Sequence, residues 1–302
     1  MNFLQHISKI SAKMPHFVNA ARYFKHFQRW PKTKMPFDEL PTMWHYVVWS
    51  GIENRNNPQW GILADKYAVR AEVERLIGNG HLPELYGHWD NPDNIEWDKL
   101  PKSFILKTNN GCGTNIFVHD KSKIDRKDVV KRLKKSLSFP FGDLSGQPHY
   151  SLIAPCVIAE EILVQDGGKK SLTDYKIHCV NGEPVAIYIF EDRDEVHHFD
   201  FNMRGYTADW KRLPEYGSIK EFENAPVAPE RPEILDELFD TARKLSAGHE
   251  YVRVDLYYTN GIIYFGELTF TPDTLYHKCY APYQYMMTHL LDRIKEGRHK
   301  LS

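Results

Sequence analysis

The sequence has neither a long apolar run nor a marked net charge. Its longest apolar runs are about the length of Val185 to Phe190, whereas a membrane-spanning helix needs about 20 consecutive apolar residues. The formal net charge of the 302 residues is −1 at pH 7, and dedicated nucleic-acid binders usually carry a strongly basic domain. We therefore expect neither an integral membrane protein nor a nucleic-acid-binding protein.

Cysteine and histidine do not occur in the patterns that hold metals. The four cysteines show no C-x-x-C spacing, so neither a disulfide framework nor a zinc ribbon is indicated, and a reducing, cytoplasmic location is expected. The 15 histidines include no H-E-x-x-H motif. His197 and His198 are adjacent, so on a strand they would point to opposite faces. A catalytic metal site built from histidines is not expected.

Acidic residues are absent from the first 37 positions. This segment holds seven basic residues, which leaves 32 basic and 40 acidic residues, a balance of −8, in the rest of the chain. The basic residues are Lys9, Lys13, Arg22, Lys25, Arg29, Lys32 and Lys34. The segment lacks the apolar core and small-residue cleavage site of a secretory signal. We interpret it as a basic appendage on an acidic body.

Apolar residues of this basic segment recur at spacings of three and four, which predicts one stripe of an amphipathic helix. The stripe consists of Phe3, Ile7, Ile10, Met14, Phe17, Ala21 and Phe24. Pro15 can divide the helix in two. We expect the stripe to pack on the body of the protein. The alternative is a helix that lies on an anionic membrane surface, at the inner face of the membrane, or on a partner such as a glycosyltransferase.

The rest of the chain alternates predicted helices and strands. Helices are predicted at Leu63 to Ile77, Asp128 to Ser136 and Pro232 to Ser246, and strands at Phe104 to Lys107, Ile116 to Val118 and Val157 to Leu163. Hairpins are predicted across Asn181-Gly182 and Asn260-Gly261. Antiparallel hairpins mixed with helices indicate an α+β fold. We divide the chain into a helical region 1–60 and two subdomains, 61–165 and 166–302, with a polar connection at Gln165 to Lys170.

One loop is a candidate phosphate-binding site. The predicted strand that ends at Lys107 opens into a loop with Gly111 and Gly113. Glycines let backbone N–H groups approach an anion, and the ammonium group adds positive charge. A Walker A motif is absent. A plain hairpin turn between two strands explains the glycines about as well.

The hairpin across Asn260-Gly261 is a candidate metal site. The first strand carries Arg253 and Asp255, and the second strand carries Glu267. A two-residue turn would place Asp255 and Glu267 on opposite faces, whereas a three-residue loop would bring both carboxylates and the guanidinium onto one face. Such a pair of carboxylates suits a Mg²⁺ ion bound to a nucleotide. A solvated cross-strand ion pair is the alternative.

Taken together, the motifs resemble the TupA-like proteins of the ATP-grasp superfamily. The resemblance extends from about Ala64 to Pro272. Its segments are Ala64 to Arg70, Leu82 to Asp90, Phe104 to Lys107 with the glycine loop, Ile158 to Glu161, Asp174 to Lys176, Val252 to Leu256 and Gly266 to Pro272. It implies two α+β subdomains that clasp ATP, preceded by the helical N-terminal region.

The resemblance also implies roles for individual residues, with ATP and Mg²⁺ as cofactors. Lys176 and Arg253 would contact the transferred phosphoryl group, and Asp255, Glu267 and Thr269 would hold the metal. The nucleotide would be bound by Lys66, Lys107, Asn110, Gly111, Cys112, Gly113 and Thr114, with Glu160, Glu161 and Leu163 in the hinge strand. Arg193 and Arg204, in a polar stretch, are candidates for binding an anionic acceptor.

The implied reaction is ATP-dependent ligation of a carboxylate to an amine through an acylphosphate. Because TupA-like proteins are associated with cell-surface polysaccharides, the expected substrates are a uronic-acid-containing glycan, from a capsule or O-antigen, and an amino acid or small amine. Two other functions remain open: a kinase that phosphorylates a glycan hydroxyl, and a glycan-binding protein without catalytic activity. The oligomeric state is also open.

Overall fold

The computed structural model describes residues 3–27, 30–165, 171–192, 202–212, 231–272 and 290–298. The helices are α1 (Phe3–Lys13), α2 (Pro15–Phe27), α3 (Met43–Glu53), α4 (Pro58–Ala64), α5 (Val69–Ile77), α6 (Arg126–Leu137), α7 (Phe141–Ser145) and α8 (Leu235–Ser246). The strands are β1 (Leu85–Trp89), β2 (Phe104–Thr108), β3 (Ile116–Val118), β4 (Val157–Glu160), β5 (Asp174–Val180), β6 (Glu183–Glu191), β7 (Asn202–Thr207), β8 (Tyr251–Thr259) and β9 (Ile262–Thr269). Residues 290–298 are also helical.

The chain forms two units. The first comprises Met1–Asn19, Gly51–Glu72 and Leu82–Leu163, and the second comprises Ala20–Ser50, Val73–His81 and Val164–Ser302. Each unit contains one antiparallel sheet, with strand order β1-β4-β2-β3 in the first and β7-β6-β5-β8-β9 in the second. The predicted α+β class with a helical N-terminal region is confirmed.

The sheet of the first unit has an apolar face and a charged face, because side chains alternate along each strand. One face packs against Val129 and Leu133 of α6 and forms the core of this unit. The strand residues in that core are Phe104, Leu106, Ile116, Val118, Val157 and Ala159. Lys107 and Glu160 lie on the opposite face, next to Ile105 and Ile158.

The sheet of the second unit is built from two hairpins with tight turns. Asn181 and Gly182 have φ of 51° and 80°, and Asn260 and Gly261 have φ of 52° and 75°. Both central residues are therefore left-handed, which is the geometry of the type I′ turns that Asn-Gly favours. Both predicted hairpins are confirmed, with Val180 paired to Glu183 and Thr259 paired to Ile262.

Several predicted boundaries were wrong. The predicted helix from Leu63 to Ile77 is interrupted between α4 and α5, because the Asp65 carboxylate accepts hydrogen bonds from the backbone N–H groups of Tyr67 (2.8 Å) and Ala68 (3.2 Å). Such local bonds compete with helical hydrogen bonding. Strand β4 ends at Glu160 rather than at Leu163, and α8 begins at Leu235 rather than at Pro232. Residues 166–170 of the predicted connection lie outside the described residues.

The basic N-terminal segment is helical and divides where Pro15 predicts, between α1 and α2. The expectation that its apolar stripe packs on the body was wrong for the central residues. Ile10, Met14 and Phe17 are 51%, 46% and 56% exposed, whereas Ala20 and Tyr23 are buried. Within the described part of the chain, we find no helix with the length and apolarity needed to cross a bilayer.

The packing of the first sheet gives a stability test. Leu106 is fully buried in the core of the first unit, so Leu106→Ala should lower the free energy of unfolding by about 2–5 kcal/mol through lost burial and the cavity left behind. Ile62 of α4 is 51% exposed, and Ile62→Ala should change it by less than about 0.5 kcal/mol. Urea unfolding of both variants is the measurement. Equal losses would contradict the assigned core.

Candidate functional site

The charged face of the first sheet holds a buried carboxylate between two cations. Lys107 Nζ lies 2.8 Å from Glu160 Oε2, and Arg70 Nη1 lies 2.6 Å from Glu160 Oε1. The antiparallel register places Lys107 diagonally across from Glu160 on one face. Arg70 also donates to the Pro83 carbonyl oxygen at 2.8 Å. Glu160 therefore fixes the position of the Lys107 ammonium group.

Lys66 joins this group through the glycine loop. The Asp65 side chain caps the turn that follows it, and the Lys66 Nζ donates a hydrogen bond to the carbonyl oxygen of Gly111. We call Lys66, Arg70, Lys107 and Glu160 the Lys107 cluster. Three cations and one carboxylate give it a formal charge of +2, which suits a polyphosphate.

The loop between β2 and β3 is longer than a tight hairpin turn and is closed by polar contacts. Thr108 Oγ1 donates to Thr114 Oγ1 at 2.9 Å across its base. Asn109 is buried and holds the loop to the chain beside it: its amide donates to the Ala154 carbonyl at 2.9 Å and accepts from the Cys156 N–H at 2.7 Å. The base of the loop is thereby fixed.

Four predicted nucleotide-binding residues of this loop, Asn110 to Gly113, lie beyond that base, whereas Thr114 belongs to it. The Asn110 amide donates to the Leu137 carbonyl oxygen at 3.4 Å. Gly111 lies against Phe141, Cys112 is exposed, and Gly113 has a φ of 69°. Gly111 is buried and Gly113 is exposed, so the tip of the loop exposes one of its two glycines.

The predicted hinge follows β4 without regular secondary structure. The Glu161 N–H donates to the Glu84 carbonyl oxygen at 2.9 Å, and the Glu161 carboxylate accepts from the Glu84 N–H at 3.4 Å. Glu160, by contrast, points its carboxylate to Lys107 and Arg70. The two adjacent glutamates therefore have different partners: Glu160 pairs with cations, and Glu161 bonds to the backbone of Glu84. Leu163 is the last residue of the first unit.

In the second unit, a β-bulge brings Asp255 and Glu267 onto one face. The hairpin has the two-residue turn, and pairing runs regularly to Leu256 opposite Phe265. The register then shifts, so that Asp255 pairs with Glu267 and Gly266 is the extra residue. The inference that a two-residue turn would separate these carboxylates was wrong. The extra residue of the bulge shifts the alternation of side chains along β9 by one position, which brings Glu267 onto the same face as Asp255.

Gly266 is the residue that this bulge requires. A Cβ atom at position 266 would lie 2.9 Å from the Asp255 carbonyl oxygen and 3.0 Å from the Tyr257 ring. Any other residue would therefore push β9 away from β8 at the point where the two carboxylates meet.

Arg253 holds the carboxylates of this face together. Its Nε and Nη2 contact Asp255 Oδ1 and Oδ2 at 2.6 and 2.7 Å, and Nη2 also contacts Glu267 Oε1 at 3.0 Å. Thr269 Oγ1 accepts from Arg253 Nη2 at 3.1 Å and donates to Glu267 Oε1 at 3.0 Å. The Thr269 hydroxyl therefore supports Glu267 and Arg253.

Lys176 enters the same face from β5, where it pairs with Asp255. Its Nζ lies 2.8 Å from Asp174 Oδ2, contacts Asp255 Oδ2, and sits 5.4 Å from the centre of the Phe190 ring. Burial alone would lower the pKa of Lys176, but Asp174 and Asp255 outweigh burial and raise it above its usual value. Lys176 is therefore a cation at neutral pH.

A neutral histidine borders these charges. His178 pairs with Arg253 across the strands, and its Nδ1 lies 2.9 Å from the Tyr251 hydroxyl oxygen. Burial, followed by the charges of Arg253 and Lys176, lowers the pKa of His178 well below its usual range. His178 therefore adds no charge to the face.

We call Asp174, Lys176, Arg253, Asp255, Glu267 and Thr269 the Asp255 cluster. All of them are buried except Glu267, whose side chain is 38% exposed. Two cations and three carboxylates give a formal charge of −1. Mg²⁺ takes one or two carboxylates together with phosphate oxygens and water. Asp255 and Glu267, paired on one face, fit that requirement, although the described residues contain no group of three His, Cys, Asp or Glu side chains arranged for a metal.

Of the two predicted acceptor residues, Arg204 does not join this cluster. Arg204 pairs with Ile189 in the register, whereas Lys176 pairs with Tyr188, so Arg204 lies on the other face of the sheet. There it forms an ion pair with Glu191. Arg193 lies outside the described residues.

Sequence reasoning missed two members of these clusters, Arg70 and Asp174, and the bulge residue Gly266. Both cluster residues occur within the segments that carry the resemblance. Arg70 pairs with Glu160, which is distant in sequence, whereas Asp174 pairs with Lys176 on the same strand. The bulge at Gly266 could have been predicted, since an isolated glycine in a strand often marks a bulge.

A sequence match to a family model gives the class of the protein, an ATP-grasp protein. The family described as TupA-like ATPgrasp matches residues 46–285, and the chain therefore belongs to the TupA-like ATP-grasp family. None of the curated protein sequences matches the chain significantly.

Solved structures of ATP-grasp enzymes resemble the chain more distantly. D-alanine–D-alanine ligase from Bacillus anthracis, complexed with ATP, shares 16% identity at a TM-score of 0.45, covering 80% of this chain and 67% of the ligase. The ATP-grasp ligase PsnB, complexed with a minimal precursor, Mg and ADP, shares 11% identity at a TM-score of 0.40, covering 83% of this chain and 66% of PsnB. N5-carboxyaminoimidazole ribonucleotide synthetase from Thermus thermophilus shares 12% identity at a TM-score of 0.41, covering 76% of this chain and 52% of the synthetase. The family assignment rests on the sequence match.

The Asp255 cluster gives a second stability test. Asp255→Asn removes the charge shared by Arg253 and Lys176, and breaking a buried ion pair in this way should cost about 3–5 kcal/mol of unfolding free energy. The control is Asp240→Asn, which breaks the exposed pair with Arg243 and should cost less than about 1 kcal/mol. Urea unfolding measures both. A small loss for Asp255→Asn would mean that the cluster is solvated.

Proposed function

We propose that the chain is an ATP-dependent carboxylate–amine ligase that forms an amide through an acylphosphate. Membership of the TupA-like ATP-grasp family supports use of ATP. The observation that carries the proposal is the bulge that unites Asp255, Glu267 and Arg253 on one face. In the first unit, the formal charge of +2 on the Lys107 cluster suits a polyphosphate.

The Lys107 cluster would bind the phosphates of ATP. Lys66 and Lys107 supply ammonium groups, and the loop from Gly111 to Thr114 supplies backbone N–H donors. Glu160 holds Lys107 in place at 2.8 Å. Because that position is fixed before binding, little side-chain entropy would be lost when the phosphate replaces or joins the carboxylate.

The Asp255 cluster would act on the group that is transferred. Asp255 and Glu267 would hold Mg²⁺, which offsets phosphate charge when bound. Lys176 and Arg253 would contact the phosphoryl oxygens, so that an anionic carboxylate can approach the γ-phosphate. The carboxylate oxygen attacks phosphorus and ADP leaves; the amine nitrogen then attacks the acyl carbon of the acylphosphate, and phosphate leaves with loss of a proton from nitrogen.

The substrates proposed are a uronic-acid-containing glycan of a bacterial capsule or O-antigen and an amino acid or small amine. The support for this choice is the association of TupA-like proteins with surface polysaccharides.

The direct test is release of ADP from ATP in the presence of uronic-acid glycosides and a panel of amines and amino acids. Ligation requires that ADP release depend on both the carboxylate and the amine, with a new amide mass in the product. Release of ADP with a phosphorylated glycan and no amine would identify a kinase instead. A lack of turnover with every pair, together with glycan binding, would favour a non-catalytic glycan-binding protein.

Two site variants test the residue roles in a working assay. Lys107→Ala and Glu267→Ala should each lower kcat/KM by about a hundredfold or more, because each removes charge stabilisation at the phosphates. Lys102→Ala and Glu237→Ala, at exposed positions of the same two units, should retain activity. Full activity of either site variant would show that its residue has no such role.

The bulge gives a separate test of the metal role. Gly266→Ala should raise the Mg²⁺ concentration needed for half-maximal ADP release several-fold, because the added Cβ displaces β9 beside Glu267. Gly248→Ala is the control: no atom lies within 4 Å of a Cβ there, although its φ of 80° makes the substitution strained. An unchanged Mg²⁺ requirement in Gly266→Ala would contradict the placement of the metal at this pair.

A further inference from the structure

The N-terminal helices contact the first unit through their polar side. The Ser8 hydroxyl donates to the Asp143 carboxylate, and the Asn19 amide donates to the Gly146 carbonyl oxygen at 3.1 Å. The helical path continues across the break, because the N–H groups of Phe17 and Val18 both donate to the Met14 carbonyl oxygen. Ser8 and Asn19 therefore mark one packed side of these helices, and the apolar residues Ala20 and Tyr23 of α2 are buried as well.

The apolar stripe points the other way. Ile10, Met14 and Phe17 follow each other at spacings of four and three, so they share one helical face, and Ile10 is turned by about 200° from Ser8 at 3.6 residues per turn. They are 51%, 46% and 56% exposed. A helical face on which three large apolar side chains are exposed together is arranged to contact another surface.

The charge of the segment indicates which kind of surface this helical face contacts. Lys9 and Lys13 are exposed and flank the stripe, and the first 37 residues contain seven basic residues and no acidic one. An anionic surface is complementary to both features. In helices that lie on membranes, an apolar face enters the acyl boundary while lysines contact anionic headgroups.

The part of the basic segment that belongs to the second unit also exposes a large apolar side chain. Trp30 is 58% exposed, and its ring stacks on Phe24 with 4.7 Å between ring centroids. Exposed tryptophan beside basic residues is typical of the membrane–water interface.

We propose that the face formed by Ile10, Met14 and Phe17, with Lys9 and Lys13, lies on an anionic lipid surface. A second copy of the chain fits less well. Even at about 200 Å² apiece, a value usual for a large aromatic side chain, three side chains bury less than the roughly 800 Å² per partner of a stable interface. The proposal is independent of the ligase chemistry.

Vesicle sedimentation of the full chain tests it. The protein should bind vesicles of equal parts phosphatidylcholine and phosphatidylglycerol, bind pure phosphatidylcholine weakly, and dissociate from the anionic vesicles as salt screens the charges. Equal binding to both kinds of vesicle, or to neither, would overturn the proposal.

Matched variants locate the contact. Met14→Ser/Phe17→Ser should weaken anionic-vesicle binding about tenfold or more, through lost apolar burial, and Lys9→Gln/Lys13→Gln should weaken it about fivefold per lysine. The controls are Ile62→Ser/Phe139→Ser, two apolar residues of the same unit that are 51% and 42% exposed, and Lys99→Gln/Lys102→Gln. Equal losses in the controls would contradict this face as the contact.

Two further measurements separate the alternatives. Thermal unfolding of Met14→Ser/Phe17→Ser should match the unsubstituted chain, because the substituted side chains are exposed. Analytical ultracentrifugation should show the same association state for both. A dimer that dissociates in the variant would overturn the lipid proposal in favour of a second copy of the chain.

Discussion

The register of β8 against β9 determines which charged side chains share a face in the second unit. The Asn260-Gly261 turn sets a pairing that would place Asp255 and Glu267 on opposite faces, and the extra residue at Gly266 reverses that outcome. Only glycine allows the close approach of β9 to the Asp255 carbonyl oxygen. The contacts of Arg253 with Glu267 and of Thr269 with Glu267 follow from this single bulge.

The buried charges of the Asp255 cluster are poorly explained by stability alone. Removing charged groups from water costs several kcal/mol per ion, and apolar residues of similar volume are often as stabilising or more so. Here Lys176, Arg253 and Asp255 are all buried, and Asp255 accepts hydrogen bonds from both cations. The proposed role in binding charged ligands would account for such a cluster, since a desolvated site strengthens electrostatic interactions with a ligand that enters it.

Local signals in the sequence predicted the hairpins and the strands that carry Lys107 and Glu160. They failed where the structure depends on contacts distant in the chain. The partners of Glu160 lie 53 and 90 residues away, and no spacing rule indicates them. The N-terminal stripe shows a related limit: periodicity identifies the apolar face of Ile10, Met14 and Phe17, but it does not indicate whether protein covers that face. The bulge was missed because turn length was treated as the only determinant of register.

In each unit, one lysine proposed to contact phosphate is already held by a carboxylate. Lys107 is paired with Glu160, and Lys176 is paired with Asp174 and Asp255. These pairs hold the ammonium groups in one position, so that a phosphate meets a fixed cation rather than a mobile side chain. The carboxylates also reduce the net positive charge, which weakens binding of any isolated anion. Within the second unit, a ligand that brings its own divalent cation would supply positive charge to Asp255 and Glu267 as well as phosphate oxygens to Lys176, so the site proposed there would favour a metal-bound polyphosphate over a free anion.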